Sequence, residues 1–164
     1  MAFWDRKRML SAGARAPEFE LPDLGGAKHS LGEILAGGPV LFAFFKVSCP
    51  VCQFTFPFLE RLHRGGRPGA IRIVGVSQDN AAATREFGRE YGVTFTTLLD
   101  DLDRYPVSNA FGISSVPSLF LVETDGTVSL GRSGFSREDL EAVGKRAGAA
   151  PFLEGERVPE SRPG

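Results

Sequence analysis

Among its 164 residues the chain has only two cysteines, two histidines, two tyrosines and one tryptophan. So few cysteines exclude a disulfide-stapled scaffold, and a domain of this length has no need of one. They also argue against a closed zinc site, which takes about four Cys or His ligands. Only His29 and His63 could join the cysteines, and both read as ordinary surface residues. No apolar run approaches the roughly 18–20 residues that span a bilayer. The two signs of charge nearly balance as well: 19 Lys and Arg against 20 Asp and Glu leave a formal net charge of −1, which gives no field to steer the chain toward nucleic acid or an anionic membrane. The opening Met1–Leu21 has basic residues but no apolar stretch of roughly 7–15 residues behind them, so a secretory signal is not expected. The expected location is therefore cytoplasmic. No internal repeat is visible.

What the chain does have is phenylalanine, 14 of them. Many fall in Leu41–Phe45 and at Phe54, Phe56 and Phe58, and they read as core, because an aromatic ring buries a large apolar area. The continuous apolar run from Pro39 to Lys46 predicts a strand covered on both faces. Val51, Phe54, Phe58 and Leu62 then fall at helical spacing, predicting a helix that ends near Gly65-Gly66, with Pro57 as a kink inside it. Ile71–Val76 predicts a second buried strand, after which Asp79 or Asn80 caps a helix stopped by Gly92. Thr94–Leu99 predicts a short strand, Pro106–Phe111 a helical turn, and Val116–Glu123 a third strong strand. A tight turn joins that strand to Val128–Leu130, and Ser136 opens a final helix through Leu140 and Val143. Upstream, Ala16–Leu24 reads as a short alternating piece ending in the Gly25-Gly26 turn, with Lys28–Leu31 as the returning strand of a hairpin. The organisation expected is a flexible segment over 1–12, one α/β domain over 13–148, and a disordered tail over 149–164, where Pro, Gly, Glu and Arg dominate.

The two cysteines stand together as Cys49-Pro50-Val51-Cys52, where a buried strand ends and a helix begins. A bridge between them would close a tiny loop and would be a poor staple, so a chemical role is the better reading. Unpaired backbone N–H groups and the positive end of the helix dipole meet a thiolate at Cys49. Pro50 suits the first turn because it wastes no N–H. Cys52, one turn in, can attack a mixed disulfide formed at Cys49. The pair supplies a nucleophile and a resolving group, which is what thiol–disulfide exchange requires.

These residues resemble the thioredoxin superfamily and, within it, the TlpA/ResA-like thiol reductases of the redoxin group. The resemblance runs over roughly residues 13–147. It is carried by Gly13–Leu21 with Leu24-Gly25-Gly26, by Val40–Phe45 leading into CPVC, by Pro57, and by Phe111–Val122 followed by Asp125-Gly126. It implies a thioredoxin-like fold, α/β, with a central mixed β-sheet flanked by helices and an added N-terminal β-hairpin. It also implies a cis bond between Val116 and Pro117 facing Cys49, with the Val116 backbone left to pair with an extended substrate. The expected enzyme is a monomeric thiol–disulfide oxidoreductase that reduces disulfides of proteins or small molecules and is recharged by a thiol electron donor. It would need no metal and no cofactor beyond its own Cys49–Cys52 disulfide, and would have neither nucleic acid nor membrane as partner.

Three positions depart from that family. Ser48 stands where Trp is common, Ala43 where thioredoxin proper has a buried acid, and Thr55 where many TlpA/ResA-like members have Glu. Lys46 can act on a thiolate electrostatically, but a strand-end lysine is ordinarily solvated. Two other functions compete. A peroxiredoxin-like peroxidase would oxidise Cys49 to a sulfenic acid, but its pocket needs Pro seven residues and Thr three residues before that cysteine, and here those are Phe42 and Lys46. A copper carrier of the Sco type would need a late histidine, and none follows His63.

Overall fold

The computed structural model describes residues 8–164. The chain opens with a hairpin of β1 (Glu20–Pro22) and β2 (Lys28–Ser30), paired antiparallel, then a single helical turn, α1 (Leu31–Leu35). Strand β3 (Val40–Phe45) leads into the long helix α2 (Pro50–Gly65). After it come β4 (Arg72–Ser77), α3 (Ala81–Tyr91), β5 (Thr97–Leu99) and the short α4 (Pro106–Ala110). The second half consists of β6 (Ser118–Val122), β7 (Val128–Ser133), the two-residue β8 (Phe135–Ser136), α5 (Arg137–Ala147) and β9 (Ser161–Arg162).

The central sheet runs β5-β4-β3-β6-β7, with β3 in the middle. β3, β4 and β5 are parallel, whereas β6 and β7 run antiparallel, so the sheet is mixed as expected. Every residue of β3 is at most 1% exposed, which is why its sequence is apolar without alternation. Its side chains feed two cores. Leu41, Ala43 and Phe45 face α2, α3 and α5 through Phe56, Leu59, Phe87, Leu140 and Val143. Val40, Phe42 and Phe44 face α1, α4 and the hairpin through Ile34, Leu35, Val107 and Leu21. Helices on one side, with short helices and a hairpin on the other, pin the C-terminal end of β3 where α2 begins. Among the described residues no helix is long and apolar enough to cross a membrane.

Two expectations need correction. Residues 149–164 are ordered against the domain and are not a loose tail. Their composition is polar, but Pro151 is buried, and Phe152 and Val158 pack on the core. Arg61 also forks onto Glu156 at 2.7 and 2.8 Å. A few spaced anchors suffice where overall hydrophobicity is low. The flexible segment expected over 1–12 is only partly testable, because 1–7 lie outside the described residues. Residues 9 and 10 do not fit it: Leu10 donates its N–H to the Phe111 carbonyl at 3.1 Å, and Met9 and Leu10 pack half-buried on the second core.

Candidate active site

Cys49 is the N-cap of α2, in extended conformation (φ −81°, ψ 116°), with Pro50 following at the first helical position. Its Sγ takes the place of a capping oxygen and accepts the Cys52 N–H at 3.1 Å. One of the free donors of the helix start is thereby aimed at sulfur. The loop before it is held from two sides: Asp79 accepts the Val47 N–H at 2.8 Å, and Gln53 donates to the Val47 carbonyl at 2.9 Å. Both cysteines are free thiols, Cys49 partly exposed and Cys52 fully buried.

The loop before β6 closes the site from the other side. The Val116–Pro117 bond is cis, and the Cys49 thiol donates to the Val116 carbonyl at 3.4 Å. Pro117 is fixed in turn, its carbonyl accepting the Gly134 N–H at 2.7 Å. All four residues singled out in the sequence therefore meet at one place, although 67 residues separate Cys49 from Val116.

The two sulfurs differ in environment. Burial pushes the Cys52 thiol far above the ordinary thiol range, and its interaction with Cys49 adds to this. The Lys46 backbone pulls the other way, while the charges of Cys49 and Asp79 oppose ionisation further. An accessible sulfur at a helix start beside a buried, protonated one is an asymmetric dithiol. Its outer member can attack an incoming disulfide, and its inner member is held back until a bond forms at Cys49.

The positions that depart from the family are placed as follows. Ala43 is buried in the same core as Cys52, so no acid stands behind the inner thiol from that strand. Thr55 is buried and satisfied within its own helix, donating to the Val51 carbonyl at 2.6 Å. Ser48 is exposed, and Lys46 is exposed with its ammonium 5.9 Å from the Tyr105 ring centroid. The sequence marks Asp79 only as a candidate helix cap, a role Asn80 takes by accepting the Ala83 N–H. Its position at the C-terminal end of the strand beside β3, where sites of α/β sheets gather, is the signal that could have found it. A cleft of about 710 Å³ lies between the hairpin and α4 and includes neither cysteine. A smaller one of about 220 Å³ adjoins the site and is lined by Lys46, Tyr105 and Val116.

Comparison with known proteins gives a consistent result. The AhpC/TSA family matches residues 12–130. A thiol-disulfide oxidoreductase ResA from Bacillus subtilis is 32% identical over 123 residues, covering 74% of this chain and 67% of that protein. The ResA of Geobacillus kaustophilus is 28% identical over 141 residues, covering 85% and 79%. Among solved structures, the thioredoxin domain of a thiol-disulfide oxidoreductase from Bacteroides vulgatus superposes with a TM-score of 0.74 at 25% identity, covering 84% of this chain and 99% of that one.

Proposed function

The chain belongs to the AhpC/TSA family, and on that premise we propose that it is a thiol–disulfide oxidoreductase with Cys49 as nucleophile and Cys52 as resolving thiol. The observation that carries this is the single placement of Cys49 Sγ: partly exposed, capped by the Cys52 N–H at 3.1 Å, and 3.4 Å from the Val116 carbonyl. Cys49, as thiolate, attacks one sulfur of a substrate disulfide. The substrate S–S bond breaks, a mixed disulfide forms, and the leaving sulfur departs with the electron pair and takes up a proton. Cys52 then loses its proton and attacks Cys49 Sγ, closing the internal disulfide and releasing the second substrate thiol. The substrate gains two electrons and the dithiol loses them, so a thiol donor must recharge the enzyme. No other cofactor and no metal enters this scheme.

Trapping tests the reading. Cys52→Ser should accumulate a covalent adduct with insulin on Cys49, and Cys49→Ser should form none. Absence of an adduct, together with a chain that leaves insulin intact, would sink the proposal. The direction of electron flow is read from the reduction potential: a value near about −270 mV marks a reductase like thioredoxin, one near about −120 mV an oxidant like DsbA. Reduction is the direction we propose, with Val116 and Pro117 presenting backbone to an extended substrate. A monomer acting in the cytoplasm belongs to the same proposal. Sedimentation and cell fractionation check those two points.

The peroxidase reading is the weaker one. Seven residues before Cys49 stands Phe42, fully buried in the second core, and three before it stands the exposed Lys46. Neither offers a hydroxyl to polarise a peroxide. Rapid consumption of hydrogen peroxide by the reduced chain would revive it.

A further inference from the structure

Residues 149–164 play no part in the exchange scheme, yet they run into its site. Their root is firmly held. Pro151 is buried, the Phe152 ring lies 5.0 Å from Phe58 and 6.1 Å from Phe135, and Arg61 grips both Glu156 and the Pro151 carbonyl. Farther along, the hold thins. Arg137 donates through its side chain to the Val158 carbonyl at 3.0 Å and through its backbone to the Glu160 carbonyl at 2.9 Å. Beyond that point β9 pairs with β8 over two residues only, and Ser161, Pro163 and Gly164 are exposed.

The thinly held tip touches the redox site at several points. The Arg162 guanidinium lies 4.7 Å over the ring of Phe54, two residues past Cys52. Gly164 packs so closely on the loop before β6 that a methyl on its Cα would stand 2.5 Å from the Val116 carbonyl oxygen. That oxygen is the one the Cys49 thiol reaches. Gly134, at φ +79°, has the Arg162 carbonyl 2.4 Å from where its own Cβ would be. Missing side chains at 134 and 164 thus let the tip lie backbone to backbone against the site.

A short antiparallel pairing along the edge of a strand, with side chains seated alongside, is how an extended peptide adds to a folded domain. We propose that the edge of β8, the Phe54 ring and the Val116 carbonyl form a groove for an extended peptide segment. Residues 161–164 are its resident occupant, which a protein disulfide substrate must displace. This rests on the exchange reading above and adds to it a choice among substrates. The tip can leave without unseating Pro151, Phe152 or the Arg61–Glu156 pair, so the groove opens locally. A groove open one time in ten weakens an incoming peptide about tenfold. A small disulfide that needs only the partly exposed Cys49 Sγ is not held back in this way.

The test compares the full chain with a chain lacking residues 161–164 and with Arg162→Ala. For each, reduced, the rate of attack is measured on insulin and on glutathione disulfide. Both variants should gain about threefold to tenfold on insulin and stay within about twofold on glutathione disulfide. A synthetic peptide carrying residues 158–164 should bring the insulin rates of both variants back down. Insulin rates that are unchanged or lowered would overturn the proposal. An equal gain on both disulfides would overturn it too, because the tip would then merely shade the thiol. A full chain inert toward both disulfides would instead defeat the exchange reading, and the groove with it. Should the shortened chain not fold, Arg162→Ala and the added peptide decide alone.

Discussion

Cys49 and Cys52 share one turn of helix, but water reaches only the first. That difference has a thermodynamic consequence for the reduced protein. Below about pH 9, the ordinary value for a thiol, Cys52 is protonated whether the chain is folded or unfolded, and its titration adds nothing to the pH dependence. Above that value the unfolded chain gives up the proton while burial makes the folded chain keep it. The unfolded state then binds fewer protons, so stability falls as pH rises, by about 1.4 kcal/mol per pH unit for one such group. Denaturant unfolding of the reduced chain between pH 8 and 11 should show this slope on top of whatever Cys52→Ala shows. Parallel curves for the two proteins would mean that the inner thiol is not held protonated. At this scale the sequence was legible where chemistry is local. CPVC at a strand-to-helix junction identifies both sulfurs, and Pro117 is found through the resemblance. Asp79 was missed because its partner, the Val47 N–H, lies 32 residues away, and no local pattern announces a carboxylate that props a loop.

Elements with their own local pattern, the unbroken apolar run of β3 and the helical spacing of α2, were legible for the same reason: their burial is written into neighbouring residues. The one-turn α1 was not, since five residues give no period. Its evidence is a cap, the Ser30 side chain accepting the Glu33 N–H at 3.2 Å, together with three buried side chains. The 149–164 segment failed differently, because what holds it belongs to other elements. Its ionic anchor makes a prediction. The Arg61 guanidinium, and after it the Leu153 N–H, hold the Glu156 carboxyl down to about 2, below its usual 4.5. The anchor is therefore complete above about pH 4.5 and is lost as pH falls toward 2. Amide exchange at residues 153–156, corrected for its intrinsic pH dependence, should be level from pH 7 to 5 and rise below 4.5 before the core opens. Glu156→Gln should show the raised exchange already at pH 7. If protection at these amides disappears only together with that of β3, the pair does not control the segment.

On the scale of the whole molecule, the sheet separates two cores that answer for different things. The alternation of strands and helices told the layered class from sequence, and the tight turn joining Val116–Glu123 to Val128–Leu130 told that the sheet is mixed. Which side chain of β3 faces which layer was not readable, since a strand buried on both faces has no polar side to mark. The structure resolves it: the Phe45 ring lies 4.4 Å from Phe56 of α2 and 4.9 Å from Phe87 of α3. The neighbouring Phe44 points the other way, 5.0 Å from Phe111 and 5.8 Å from Phe120. Both are essentially unexposed, so truncating either to alanine should cost about 3–5 kcal/mol, a large share of the roughly 5–15 kcal/mol that holds a domain together. Their effects on exchange should part. Phe45 underlies the helix that starts at Cys49, and its backbone carbonyl accepts the Gln78 N–H next to Asp79. Loss of its ring lets α2 and the loop that Asp79 props shift against the Val116 carbonyl. Phe44 supports α4 and the hairpin side, away from the cysteines. At a temperature where unfolding curves show both variants folded, Phe45→Ala should exchange with insulin several-fold more slowly, while Phe44→Ala keeps nearly the full rate. Equal losses in the two variants would show that exchange follows global stability and not the seating of α2.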